Sequence, residues 1–222
     1  MARHIAQAGG VVVIGLGRFG KSLALELERD GVEVLGIDTD ERKVQALAGR
    51  LTHVVAADST DQEAMQQLSV EDFDRAVIAI GTNLEASVLT AFVLKNLKIG
   101  NIWAKATSAS MAQILEQIGV GHVVRPEHDM GRRVAHLVRG KMIDYIEFDD
   151  GYAIVKTTPP ASILGMPLGE SGVRRKFGVT IVGVKAAGQD FTHATAETVV
   201  SPGDLVIVSG DRRKVEAFSN QD

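Results

Sequence analysis

The run Val11-Val-Val-Ile-Gly-Leu-Gly-Arg-Phe-Gly20 constrains the fold more than any other stretch of the chain. Four consecutive apolar residues, all of them β-branched, read as a strand buried on both faces. They lead straight into Gly15, Gly17 and Gly20, and a helical pattern follows from about Arg18 to Asp30. Strand, tight turn and helix with G-x-G-x-x-G spacing form a dinucleotide-binding unit. Gly15 lets the backbone turn sharply. Gly17 has no side chain to hold a pyrophosphate off the main chain, and Gly20 lets the helix lie close to the strand. The helix start then offers unpaired N–H groups and the positive end of its dipole to phosphates.

Such a motif also arises by chance, so its context matters. A second apolar strand, Val34–Asp38, ends on an acid that can accept hydrogen bonds from the ribose hydroxyls of an adenosine. Asp38 also disfavours a 2′-phosphate, which points to NAD over NADP. The same residues admit a second register, because Gly15 to Ser22 match G-x-x-x-x-G-K-S, the phosphate loop of NTPases. Lys21 would then reach the phosphates and Ser22 a Mg2+ ion. The early helix, the extra Gly17 and the placement of Asp38 favour the dinucleotide register, in which Lys21 and Ser22 lie on the first helical turn.

From residue 11 onward, apolar runs alternate with helical patterns. Strands are expected at Thr52–Ala56, Arg75–Ile80, Asn101–Ala106 and Val120–Val124. Helices are expected near Glu41–Ala48, Gln62–Leu68, Leu84–Leu97, Met111–Gln117 and Asp129–Val138. Six strands in β-α succession predict a Rossmann-type, doubly wound parallel sheet of the α/β class, covering residues 1–140. The pattern changes near Gly140-Lys141. Asp144–Phe148 and Tyr152–Lys156 alternate in polarity around Asp-Asp-Gly, which is a hairpin signal. A helix near Gly169–Lys176, strands Val179–Lys185 and Leu205–Ser209, and a helix Asp211–Phe218 complete a small α+β lobe over residues 141–222.

Composition removes several classes of function. The 222 residues contain no cysteine, which excludes disulfides, thiol catalysis and thiolate metal sites. A net charge of −4, with no basic stripe or helix-turn-helix segment, gives no reason to expect nucleic acid. No apolar run approaches the roughly 20 residues that span a bilayer, and the N-terminus lacks a signal-peptide core. Membrane work would therefore need a membrane-embedded partner.

Ligands of an open parallel sheet lie beyond the carboxyl ends of its strands. There the sequence places Gly15–Gly20, Asp38, Asp58, Ile80–Asn83, Lys105 and the Arg125-Pro-Glu127 turn. Asp58 faces an adenine edge or caps the helix after Ser59-Thr60. Arg18 and Lys105 meet phosphates or form solvated surface, and Glu127 could hold a hard cation shared with phosphates. Tyr152-x-x-x-Lys156 superficially matches the pair of short-chain dehydrogenases, but the two residues lie in a strand, about 13 Å apart. The six histidines show no metal-binding spacing, although His128 with Glu127 could face the crevice. The basic runs Arg174-Arg175-Lys176 and Arg212-Arg213-Lys214 read as solvated helix faces or as an anion site.

Taken together, the glycine run, Asp38, Ala79-Ile-Gly-Thr-Asn83, Asn101-Ile-Trp-Ala-Lys105 and Arg125-Pro-Glu-His-Asp-Met-Gly131 resemble the RCK (regulator of potassium conductance) family. The nearest resemblance is to cytosolic gating subunits of Ktr/Trk-type potassium transporters. It extends over essentially the whole chain, to the Gly203-Asp-Leu-Val-Ile-Val-Ser-Gly210 ending. The resemblance implies a non-enzymatic regulatory subunit in a ring of eight, paired through helices near residues 108–140 and placed under a membrane-embedded partner. It implies ATP and ADP, and also NAD(H), as ligands. Gly17, Arg18, Phe19 and Gly20 would hold phosphates, with Arg18 reaching the γ-phosphate of a neighbouring subunit. Asp38 would bind ribose and Asp58 adenine, while Ala79, Ile80, Gly81, Asn83 and Glu85 would line the pocket. Lys105 would meet phosphate, and Glu127 a Mg2+ or Na+ ion. The family's C-lobe can bind cyclic di-AMP, but Ser162–Lys176 departs from that pattern in its glycines and arginines. The competing class is an NAD-dependent oxidoreductase, for which the small lobe offers no general acid or base.

Overall fold

The computed structural model describes residues 9–221. His4 and the N-terminal stretch expected to lack a signal-peptide core lie outside the described residues. The chain divides into two compact units, Met1–His128 and Asp129–Asp222.

In the first unit the strands are β1 Val11–Ile14, β2 Val34–Asp38, β3 His53–Ala56, β4 Arg75–Ile78, β5 Asn101–Lys105 and β6 His122–Val124. All neighbours pair in parallel, in the order β3-β2-β1-β4-β5-β6. This is the doubly wound order the sequence predicts, with a switch point between β1 and β4. The helices are α1 Arg18–Arg29, α2 Glu41–Gln45, α3 Gln62–Gln67, α4 Leu84–Asn96 and α5 Ala109–Gln117, followed by α6 Pro126–Arg139, which runs on past His128.

Alternation along β1 builds both layers of the core. Val11 and Val13 pack with Ala24 of α1, Val44 of α2, and Leu47 and Leu51 beyond it. Val12 and Ile14 pack on the opposite face with Met65 of α3, Leu94 of α4 and Leu115 of α5. The reversal of strand order at the switch point sends the later helices to that second face, because the crossovers keep one hand.

The second unit is a five-stranded antiparallel sheet, ordered β10-β9-β11-β8-β7. Its strands are β7 Met142–Glu147, β8 Tyr152–Thr157, β9 Val179–Lys185, β10 Phe191–His193 and β11 Leu205–Asp211. The predicted hairpin joins β7 to β8, with Asp150 and Gly151 both at positive φ in the turn. Helix α9, Arg212–Ser219, is capped by Asp211, which accepts from the Arg213 and Lys214 N–H groups. It buries Val215 and Phe218 in the second core. Tyr152 and Lys156 lie at opposite ends of strand β8 and cannot share a helix face.

Three features depart from the sequence expectation. The helix expected near Gly169–Lys176 is two short ones, α7 Leu168–Ser171 and α8 Val173–Phe177. Gly172 breaks them apart in the left-handed region at φ 68°. Strand β10 was not expected; its three exposed residues pair with β9 alone and carry no buried alternation. Helix α6 begins at Pro126, so Glu127 lies on its first turn.

Candidate functional site

A cleft of about 700 Å3 opens at the switch point, beyond the carboxyl ends of β1, β2, β4 and β5. Every local choice in the glycine turn serves it. Gly15 sits at φ 92°, a region L side chains rarely adopt, and a Cβ there would come within 3.0 Å of the Ala79 carbonyl carbon. A Cβ on Gly20 would fall 1.9 Å from the Gly15 carbonyl oxygen. That position therefore fixes how closely α1 approaches the turn. Gly17 behaves oppositely: a Cβ there would meet no protein atom within 4 Å. Its missing side chain leaves the cleft side of the turn open.

Helix α1 is also left open where its neighbours are closed. Asp40, Asp61, Asn83 and Ser108 cap α2, α3, α4 and α5 through side-chain oxygens. The α1 N-cap is Gly17, which makes no side-chain cap, and the first turn holds no acid. It carries Arg18 and Lys21 instead, cations set against the positive end of the helix dipole. An anion at this helix start would satisfy both the amides and the dipole.

At the β2 end, Asp38 is 7% exposed. Its Oδ2 accepts from the Leu16 N–H at 2.7 Å and its Oδ1 from the Asp40 N–H at 2.9 Å. The Lys43 ammonium donates to both oxygens, at 3.0 and 3.1 Å. Asp58 accepts from the Thr60 N–H at 2.9 Å and its hydroxyl at 2.7 Å. Those two bonds hold its carboxyl below the ordinary aspartate value. Asp61, not Asp58, caps α3, so Asp58 belongs to the turn that borders the cleft. On the other side Lys105, 9% exposed, donates to Glu127 Oε1 at 2.6 Å and lies over the Phe19 ring at 5.7 Å. Lys105 holds the Glu127 carboxyl below its usual range, with a smaller pull from the Arg18 charge.

Among the expected site residues, Gly15, Gly17, Arg18, Phe19, Asp38 and Asp58 lie in the cleft lining. So do Ala79, Ile80, Gly81, Asn83, Glu85 and Lys105. Gly20 lies behind the turn, where packing and not ligand contact requires glycine. Glu127 and His128 are outside the lining, and Glu127 connects to it through Lys105. Among the described residues no group of three His, Asp or Glu side chains could hold a metal ion by itself. Sequence reasoning missed Lys43, Thr39, Ala86 and Leu89 of the lining. Lys43 had one signal: it stands five residues after Asp38, in the first turn of a helix whose cap, Asp40, is visible in the sequence.

The TrkA-N domain family matches residues 11–126 and the TrkA-C domain family residues 152–221. The chain belongs to the TrkA-N/TrkA-C family. It is similar to Ktr system potassium uptake protein C of Bacillus subtilis (strain 168), 36% identical over 210 residues, which cover 94% of this chain and 95% of that protein. Ktr system potassium uptake protein A of Vibrio alginolyticus is 32% identical over 204 residues, 91% of this chain and 93% of that one. The RCK family resemblance read from the motifs is thereby borne out. The fold is shared with the RCK domain of GsuK at a TM-score of 0.68 and 18% identity, over 98% of this chain and 49% of that one. It is shared also with the GsuK channel bound to NAD, at a TM-score of 0.67 and 19% identity, over 97% of this chain and 39% of that one. This chain thus spans half or less of those structures. Among the described residues no helix is long and apolar enough to cross a membrane.

Proposed function

We propose that this TrkA-N/TrkA-C protein is a cytosolic regulatory subunit of a potassium uptake system that binds adenine nucleotides in the β1/β4 cleft. The uncapped start of α1 beside the open Gly17 carries the reading, because it presents amides and cations to an anion where no side chain of the protein serves. Asp38 would take the ribose hydroxyls, Asp58 would face the adenine, and Arg18 and Lys105 would meet the phosphates. The names of its Ktr relatives support potassium uptake as the process. Proteins of similar fold bound to NAD, ADP and AMP support the ligand class. The subunit would assemble as a ring of eight beneath a membrane-embedded Ktr/Trk-type transporter, with ATP and ADP favouring different ring states. Glu127 would contribute one carboxylate to a Mg2+ or Na+ ion shared with the phosphates, once Lys105 has released it.

Calorimetry of the full chain against ATP, ADP, NADH and cyclic di-AMP, with and without Mg2+, tests this reading. Micromolar or tighter binding of ATP and ADP at one site per chain is expected. Failure of every adenine nucleotide to bind would refute it. Incubation with NADH and carbonyl substrates is expected to leave NADH intact; steady hydride transfer would put an oxidoreductase in its place.

A further inference from the structure

The Asp38 carboxylate has no vacant direction. A carboxylate offers about four lone-pair directions. Here the Leu16 and Asp40 amides take one on each oxygen, and the Lys43 ammonium takes one on each as well. The two amides belong to the turns that shape the cleft, since Leu16 sits between Gly15 and Gly17, and Asp40 caps α2. They cannot leave without unmaking those turns. Lys43 differs: its flexible side chain is 43% exposed and lies in the cleft lining.

We propose that Lys43 is a displaceable occupant of the ribose subsite, a specificity element that a ribose 2′,3′-diol must evict. The inference rests on the adenine-nucleotide reading of the cleft. Without ligand, a carboxylate buried to this depth needs a counter-charge, and Lys43 supplies it. With ligand, two hydroxyls take the directions that one ammonium held, and the ammonium returns to water. Binding is then an exchange, and its cost is the same for every adenine ribonucleotide whatever its phosphate count. Lys43 therefore sets the overall affinity of the cleft, while Arg18 and Lys105, at the phosphate end, would set the preference among nucleotides. The ligand class follows: adenosine phosphates with a free vicinal diol.

Two measurements test it. In the wild-type chain, brief labelling with an amine-reactive acylating reagent and mass spectrometry reads the accessibility of Lys43. Saturating ADP is expected to raise its labelling severalfold; protection of Lys43, or no change, overturns the proposal. Calorimetry of Lys43→Met, which keeps the aliphatic stem, is expected to show ADP and NADH each bound about tenfold tighter, since one charge-assisted contact no longer has to be broken. Unchanged or weaker binding by a variant that melts like wild type overturns the exchange while leaving the nucleotide site standing. No binding of any adenine nucleotide to the wild type overturns both readings. The labelling arm needs no variant, so a folding defect in Lys43→Met does not shield the proposal.

Discussion

Gly17→Ala and Gly20→Ala change the same atom count three residues apart, and the structure assigns them opposite consequences. At Gly20 the new methyl would lie 1.9 Å from the Gly15 carbonyl oxygen and 3.0 Å from the Ala79 Cβ. Carbon–oxygen contacts settle near 3.3 Å, so α1 must move off the turn by about 1 Å or more. Overpacking of this kind costs about 1–3 kcal/mol, and a backbone obstacle puts Gly20→Ala at the upper end. For a chain of this length that corresponds to a fall in Tm of roughly 6–12 °C. At Gly17 the methyl would meet nothing, and φ of −68° suits alanine. Reduced unfolded-state freedom stabilises by about 0.4–1 kcal/mol, and the poorer N-cap preference of alanine offsets most of it. Gly17→Ala should therefore melt within about 3 °C of wild type. Its methyl would stand where phosphate meets the helix amides, and losing one charged hydrogen bond of about 1.5–3 kcal/mol weakens ADP ten- to a hundredfold. Scanning calorimetry and titration calorimetry on the two variants decide the matter. A Gly17→Ala chain that melts normally and binds ADP as wild type would refute the phosphate placement. A Gly20→Ala chain of unchanged stability would refute the packing argument.

Three further expectations concern Asp38, Arg18 and, in the second core, Tyr145. Asp38→Ala should weaken ATP, ADP and NADH together by about ten- to a hundredfold, since they share the adenosine. It should also lower Tm, because the Leu16 and Asp40 amides lose their acceptor; unchanged calorimetric affinities would count against the ribose assignment. Arg18→Ala should narrow the gap between ATP and ADP in activating the transporter more than it weakens ADP binding, and equal losses for both would remove Arg18 from the γ-phosphate. Burial, with the Glu147 charge beside it, pushes the Tyr145 hydroxyl up to about 12. The folded chain then keeps a proton that the unfolded chain releases near pH 10. Stability should drop between pH 10 and 12 by on the order of 2 kcal/mol. Urea melts of Tyr145→Phe should lack that component, and an identical alkaline slope in both chains would refute it.

The parts of the molecule that were legible in the sequence are those with short-range causes. Val11–Ile14 running into Gly15, Gly17 and Gly20 fixes strand, turn and helix within ten residues, and a parallel sheet repeats that logic. Asp-Gly at 150–151 and the Asp211 cap are equally local. The misses have long-range or marginal causes. Strand β10 has three residues and one neighbour, so no periodicity could announce it. Gly172 could have been tolerated within one helix, and the packing of Val173 into the second core shows why the chain turns there instead. From the sequence the site reads as a set of groups open to a ligand. The sequence carried only the Asp40 cap as a hint that Lys43 answers Asp38, and nothing to show that Glu127 answers Lys105, a pair 22 residues apart on a strand and a helix.

That pairing changes what a nucleotide must accomplish. Two of the charged groups best placed to bind it, Asp38 and Lys105, are each already matched with a protein partner. A ligand gains only the difference between its own contacts and those it breaks, and that difference, not total affinity, shifts a conformational equilibrium. On the proposed exchange the adenosine end would break the Asp38–Lys43 pair for every nucleotide alike, so it could not tell ATP from ADP. Discrimination has to arise at Arg18, Lys105 and Glu127, where an added phosphate could take Lys105 from its carboxylate. In the proposed ring of eight the requirement at each site would be modest. Turning a 1:99 population into 99:1 needs about 10⁴-fold differential affinity overall, or about threefold per site when eight act together. One rearranged contact at a partly exposed ion pair supplies that much. Substituting Glu127→Gln, which leaves Lys105 without its charged partner, should therefore widen the gap in affinity between ATP and ADP, because the nucleotide that breaks the pair gains more from its removal. A ratio that stays at the wild-type value in titration calorimetry would place the discrimination elsewhere in the cleft.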